Sequence, residues 1–221
     1  RASARPQRRP CERGLIGKVF TVQTILSVSN DAAKALLAQM CARSHVAPKR
    51  LVAPGPTAEE LNLIFTAAAQ APDHGSIRPW RFIVVPQEKR EALGQALMQA
   101  LQARDVNASK AELTAAYEKA FRAPCLVLGV LNHSPSKPPV PISERLISLG
   151  CAIQNMVLVA EAMSIGSGIT SGQAMSAQSI RELFRLKPDE ESICYVAFGQ
   201  VSTHKAQRQR PDVSALARTL T

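Results

Sequence analysis

The sequence predicts an α+β domain built around a central sheet, and three observations carry that prediction. Apolar runs with helical spacing alternate with short, isolated apolar stretches of strand length. Those stretches, residues 81–85, 125–131 and 193–198, are bounded by proline, asparagine or glycine, the residues that punctuate strands. The 221-residue chain is 46% hydrophobic, enough for one buried core, and it shows no internal repeat.

Asn30-Asp31 can cap a first helix whose apolar positions Ala32, Ala35, Leu36 and Met40 recur at helical spacing. This helix runs toward Cys41 and stops before Pro48. Residues 46–56, marked by Pro48, Pro54, Gly55 and Pro56, read as an extended loop. Thr57 opens a second helix, because Thr57 and Glu60 have capping-box spacing, in which each side chain satisfies a free backbone N–H. Leu61, Ile64, Phe65 and Ala68 form its buried face, and Pro72 ends it. After the strand 81–85, residues 87–104 read as a helix with Leu93, Leu97 and Leu101 on one face, and 109–121 as another. The run 125–131 is continuously apolar, as a strand buried on both sides must be. Four prolines and two serines make 132–142 a loop. Residues 143–164 form a long helix that is apolar almost all round, which predicts a central position or a subunit interface. A Gly/Ser-rich turn at 166–168, a short segment 169–172, a helix around 176–186 and the last strand 193–198 complete the pattern.

The net charge of +10 is unevenly spread: residues 1–20 hold six cations against one acid, half of the total. A disordered basic extension over 1–30 is expected there, because Arg- and Pro-rich sequence cannot bury enough apolar surface to order itself. The rest of the surface is only moderately basic, which suits small anionic molecules better than a nucleic acid, and no nucleic-acid recognition motif is present. No run of 18–20 uninterrupted apolar residues is seen, so no membrane partner is expected. Cys11, Cys41, Cys125, Cys151 and Cys194 form no Cys-x-x-Cys pair, and the four histidines show no metal-ligand spacing. A reduced, metal-free, cytoplasmic protein is the expectation.

The chemistry-bearing residues cluster at four places. Arg43-Ser44 ends the first helix; a guanidinium beside a hydroxyl can grip a phosphate or simply cap the helix. Residues 69–85, Ala-Gln-Ala-Pro-Asp-His-Gly-Ser-Ile-Arg-Pro-Trp-Arg-Phe-Ile-Val-Val, place Asp73, His74 and Ser76 in a polar turn that leads through Pro79-Trp80 into a strand. His74 is there a ligand contact or an exposed loop histidine, Asp73 suits a turn, and Trp80 is expected in the core. In 149–172, Gly150 and Ala152 permit close helix packing, and Gln154 and Asn155 are amides in an apolar helix that need partners if buried. Ile169-Thr170-Ser171-Gly172 then follows the glycine-rich turn. Finally, Lys205 and Arg208 come shortly after Gly199 at the end of the last strand, either as an anion grip or as an ordinary basic stretch.

These four segments together resemble the FMN-dependent nitroreductases, above all their compact NAD(P)H branch. Members of that family carry an Ala-Pro-Asp turn and a Pro-Trp strand opening, an Arg-Ser pair after the first helix, a Gly-x-Ala-x-Gln-Asn helix, and a basic residue after the last strand. The sequence departs from the pattern at Ala42, where a further basic residue is usual, at Arg78 (usually Gln or Asn) and at Thr170, where the compact branch has arginine. The resemblance covers roughly residues 32–210. It implies a nitroreductase-like fold over 31–212, with a central mixed or antiparallel sheet flanked by helices. It also implies an intertwined homodimer with two FMN molecules at the interface, each touched by both chains. Arg43, Ser44, Lys205 and Arg208 would grip the FMN phosphate. His74, Ile169, Thr170 and Ser171 would contact its ring, with Gln70 reaching toward the partner's flavin. The implied reaction is ping-pong: NADH or NADPH delivers hydride to the flavin, and a small electron-poor acceptor (a nitroaromatic, quinone or enone) then takes the electrons. No Rossmann fingerprint offers a second nucleotide site. Two other roles fit the sequence less well: a same-fold flavin reductase or dehalogenase, and a non-catalytic basic module built on residues 1–20.

Overall fold

The computed structural model describes residues 30–206 and 209–220. The expected extension, apart from Asn30, and the proposed phosphate contact Arg208 lie outside the described residues. The chain divides into two units: residues up to Ala38 with those from Ala206 onward, and Gln39–Lys205. Helix α1 (Asp31–Ala42) starts at the expected cap, where Asn30 Oδ1 accepts from the N–H groups of Ala32 and Ala33 at 3.0 and 3.2 Å. None of its residues is buried, so Leu36 and Met40, expected on a packed face, stand exposed. Near the chain's end, Asp212 caps a single 3-10 turn, Val213–Ala215, through the Ser214 N–H at 2.8 Å.

The second unit is organised by five strands: β1 (Leu51–Val52), β2 (Trp80–Val84), β3 (Cys125–Asn132), β4 (Gly166–Thr170) and β5 (Glu190–Val201). All are paired antiparallel in the order β1-β5-β3-β2, with β4 also on β5. Tyr195 of β5 faces Leu128 of β3 and Thr170 of β4, so β3 and β4 flank β5 on opposite sides. β4 therefore stands at one edge of the sheet and β2 at the other. Two of these strands differ from the sequence reading: 51–52 was expected in a loop and 166–168 in a turn. Gly166 and Gly168 look like turn residues, but pairing with β5 makes them strand, and glycine stands at both positions because neighbouring atoms fill the space a side chain would need.

Alternation along the strands buries both faces of the sheet. Leu126, Leu128, Val130, Tyr195 and Ala197 pack under α3 (Arg90–Arg104) and its neighbours α4 (Lys110–Glu118) and α6 (Gln178–Leu183). Val127, Leu131, Cys194, Val196 and Phe198 face α2 (Ala58–Ala68) and α5 (Ile142–Ala162). The Thr57–Glu60 capping box forms as its spacing predicts. Trp80 joins the second layer, its ring 5.5 Å from that of Phe82.

α5, 21 residues against the expected 143–164, is long and apolar enough to cross a bilayer by length and composition. Its packing explains its character instead: Leu149, Ala152, Ile153, Met156, Val157 and Ala160 lie in the core. Its buried Arg145 is satisfied by the carbonyls of Val140, Asn132 and Ser134 and by Ser136 Oγ, which also anchors the proline-rich loop. Of the two amides expected to be buried, Asn155 donates to the Ala67 carbonyl at 3.1 Å, whereas Gln154 is exposed. Gln154 lies on the side of α5 that also exposes Leu146, Ile147 and Gly150.

The sheet's far end is tied by Glu190, a buried carboxylate. Arg81 donates to it twice, at 2.7 and 2.8 Å, and the Lys187 N–H once, at 3.0 Å. The Arg81 hydrogen bonds outweigh burial and hold Glu190 at about 2, below its ordinary 4.5. A depressed carboxylate contributes stability that is complete above the ordinary value and is lost as pH falls through the folded one. Denaturation midpoints between pH 4.5 and pH 2 should thus fall more steeply for the wild type than for Glu190→Gln. Parallel slopes would show that the pair carries none of the acid sensitivity.

Candidate functional site

The structure sorts the candidate residues into two sets at opposite edges of the sheet. The first set gathers around β4. The segment after α1 runs beside that strand: His45 forms a parallel bridge with Ser167, and the Val46 N–H donates to the Ser167 carbonyl at 2.8 Å. The Ile169 N–H points at His45 Nδ1 from 3.4 Å. Arg43, half-buried, and Ser44, exposed, are therefore carried to the β4 edge where Ile169 and Thr170 stand. Ile169 is 40% exposed among the described residues although it sits in a strand, an apolar surface left partly open.

Ser171 belongs to the same edge, but its hydroxyl donates to the Ile193 carbonyl at 2.7 Å. With its proton so committed, that oxygen is left to accept from a ligand. Lys205 is exposed just beyond β5. Its approach is fixed by a residue the sequence reading passed over. The Arg50 carbonyl accepts from the Ser202 N–H at 2.9 Å, and its guanidinium donates to the Thr203 carbonyl at 2.6 Å. Nothing in the motif spacing marks Arg50, since its partners lie about 150 residues away.

The second set lies in the turn that leads into β2. His74 Nδ1 is 2.6 Å from Glu144 Oε2 in the first turn of α5. Asp73 is a turn former, as expected: its Oδ2 accepts from the Arg78 N–H at 2.8 Å and closes a loop in which Gly75, Ser76 and Arg78 all have left-handed φ. Trp80 Nε1 donates to Ser148 Oγ at 2.9 Å, and that hydroxyl donates to the Pro72 carbonyl at 2.6 Å. This relay pins the turn to α5. Gln70, exposed just after the preceding helix, donates to the Thr66 carbonyl at 3.4 Å. Glu144 and Ser148 were invisible as partners in the sequence because they are some 70 residues from the groups they hold.

The arrangement at β4 combines a guanidinium and a hydroxyl with an exposed aliphatic strand end, and Lys205 follows β5 as a further exposed cation. That donor set suits an anionic group attached to a flat apolar body. A scan against protein-family models matches the chain, over residues 48–200, to the nitroreductase family. The chain belongs to the nitroreductase family. It is an oxidoreductase of that family. A Haemophilus influenzae protein named "Putative NAD(P)H nitroreductase" is 35% identical to this nitroreductase-family chain over 161 residues, covering 73% of it and 86% of the relative. Among solved structures, a nitroreductase-like family protein from Bacillus cereus superposes with a TM-score of 0.72, at 16% identity, covering 84% of this chain and 95% of that one. A nitroreductase with bound FMN from Desulfitobacterium hafniense gives a TM-score of 0.63 at 20% identity, covering 84% and 98%. The fold is shared with both.

The geometry at β4 depends on Gly168. A Cβ built there would overlap the carbonyl group of Val46, while the ring of His45 at 3.5 Å is in ordinary contact. Gly168→Ala should push the 43–46 segment off the strand. The expected cost is about 1–3 kcal/mol of stability, as for other overpacked sites. Hydrogen exchange reads it directly: the Val46 amide should lose protection while the β3–β5 amides keep theirs. Unchanged protection at Val46 would mean that the contact does not hold the segment.

Proposed function

We propose that this protein is an FMN-dependent NAD(P)H oxidoreductase that reduces electron-poor small molecules such as nitroaromatics, quinones or activated enones. The observation that carries the reading is the convergence of Arg43, Ser44 and the β4 end on one sheet edge, in a chain of this family. The residues present fit the cofactor. Arg43, Ser44 and Lys205 supply a cationic, hydrogen-bonding grip for a phosphate. Exposed Ile169 offers an apolar seat for a flat ring system, with Thr170 beside it. When bound, FMN would supply the hydride and electron chemistry, and the protein supplies position and electrostatics. No side chain at the edge is set up as a nucleophile, and none is needed.

The reading extends to a homodimer. Gln70 and His74 stand at the opposite edge from the phosphate grip, so one chain by itself offers two half-sites. α5 carries an exposed apolar side at Ile142, Leu146 and Ile147, next to the His74–Glu144 pair. α1 adds Leu36, Leu37 and Met40. Covering these faces with a second copy would stabilise the pair by the hydrophobic effect. It would also deliver His74 and Gln70 of one chain to the β4 edge of the other. Arg78, at the same turn, places a further positive charge there in place of the family's usual amide.

The direct test is the visible absorption spectrum of the purified protein, before and after anaerobic NADPH or NADH. The two bands of oxidised flavin should be present and should bleach on reduction, then return when an electron-poor acceptor is added. A protein that is colourless and takes up no added FMN would contradict the reading. Arg43→Ala should weaken FMN binding about 10-fold or more, since a hydrogen bond to a charged group contributes roughly 1.5–3 kcal/mol. Titration of the flavin-free variant with FMN measures it.

A further inference from the structure

Between the sheet and the α3–α4 layer lies a cavity of about 400 Å3, of which the flavin reading uses only Thr170 and Ser171 at one end. Its walls come from the apolar face of α3, with Leu93, Leu97 and Leu101, and from Met175 and Leu126. The lining includes three cations, Arg104, Lys119 and Arg122, and no acid. It is a cleft open to solvent: exposed Arg104, Lys119, Ser171 and Gln173 line it together with buried Leu93, Met175 and Tyr195. An apolar chamber with a few convergent polar groups is how small-molecule sites are built.

A second, independent feature points to an occupant. Tyr195 lines the cavity, is 6% exposed, and its hydroxyl has no hydrogen-bond partner among the described residues. Buried phenols nearly always find a partner, and leaving one without costs free energy. Burial holds this phenol well above its ordinary range, against the nearby positive charge of Arg90. It thus stays protonated and able to donate at every physiological pH. Phenylalanine would fill the same place in the β5 pairing without the unmet hydroxyl, so the oxygen is not explained by packing.

We propose that this cavity binds an amphipathic organic anion. Its apolar body would lie among the α3 leucines, its polar tail would meet the Tyr195 hydroxyl, and its carboxylate would meet Arg104, Lys119 and Arg122. Thr170 and Ser171 also line the chamber, so an occupant would lie along the end of the strand whose Ile169 stands at the candidate flavin edge. The cations select for an anion, the leucines for a ring or short chain, and the phenol for a hydroxyl or carbonyl on that ring.

The test uses 6-hydroxy-2-naphthoate as probe, with 2-naphthoate as the analogue lacking the hydroxyl, titrated calorimetrically into the FMN-saturated full-length protein. Saturable binding of 6-hydroxy-2-naphthoate is expected. Tyr195→Phe should weaken it about 10-fold or more, as loss of one buried hydrogen bond does, and leave 2-naphthoate unchanged. Arg104→Gln with Lys119→Gln, both at exposed positions, should weaken both probes and flatten their salt dependence. No saturable binding, or binding indifferent to both sets of variants, would overturn the proposal. So would a probe that binds only flavin-free protein and is displaced by FMN, which would make the cavity part of the flavin site. The proposal does not rest on the flavin reading: a protein that takes up no FMN but binds the probe through Tyr195 would contradict that reading and support this one.

Discussion

The carbonyl of Val46 occupies the place where a side chain at position 168 would stand, and the candidate phosphate grip follows from that contact. Backbone packed against backbone leaves room for no residue but glycine at position 168. It also draws the end of α1 to the strand, through the Val46–Ser167 hydrogen bond and the His45 bridge. Without that approach, Arg43 and Ser44 would lie on a free helix end, and Ile169 and Thr170 would form an ordinary sheet edge. One close contact thus converts two unremarkable segments into a cationic ledge beside an apolar seat.

A second constraint positions the other half-site. α5 must be apolar to cover the sheet, yet it also carries Glu144, Arg145 and Ser148 in its first two turns. Each of these is committed to a loop. Glu144 holds His74, Arg145 holds the carbonyls of residues 132–140, and Ser148 links Trp80 to Pro72. The helix therefore serves as a rigid core element on one side and as the anchor of a polar turn on the other. Its remaining exposed apolar residues, Ile142, Leu146 and Ile147, stand near that turn, the face that the proposed dimer would cover.

Much of this was legible in the sequence because it is written in local signals. Asn30, Thr57 and Glu60 declare their caps, the apolar runs around 127 and 196 declare buried strands, and Arg43-Ser44 and His74 stand in motifs of recognisable spacing. What was missed depends on contacts between distant segments. β1 and β4 read as loop and turn because prolines and glycines dominate them locally, while their strand character comes from pairing with β5. Arg50 and Glu144 become structural only through partners about 150 and 70 residues away. Leu36 and Met40 of α1 recur at helical spacing and Gln154 sits in an apolar helix, yet all three are exposed, because such patterns detect an apolar face but not what covers it. The Tyr195 hydroxyl carries no sequence signal at all, since a tyrosine in an apolar strand reads as core.

The most direct measurement is the flavin content of mixed dimers formed from two tagged variants, Arg43→Glu in one chain and His74→Ala with Gln70→Ala in the other. If each site draws Arg43 from one chain and His74 from its partner, both lesions fall on one site and the other is intact. Mixed dimers should then hold close to one FMN each, while either parent homodimer holds far less. Mixed dimers no richer in flavin than their parents would mean that the two sets serve one chain's own site, and the account of a shared site would be wrong.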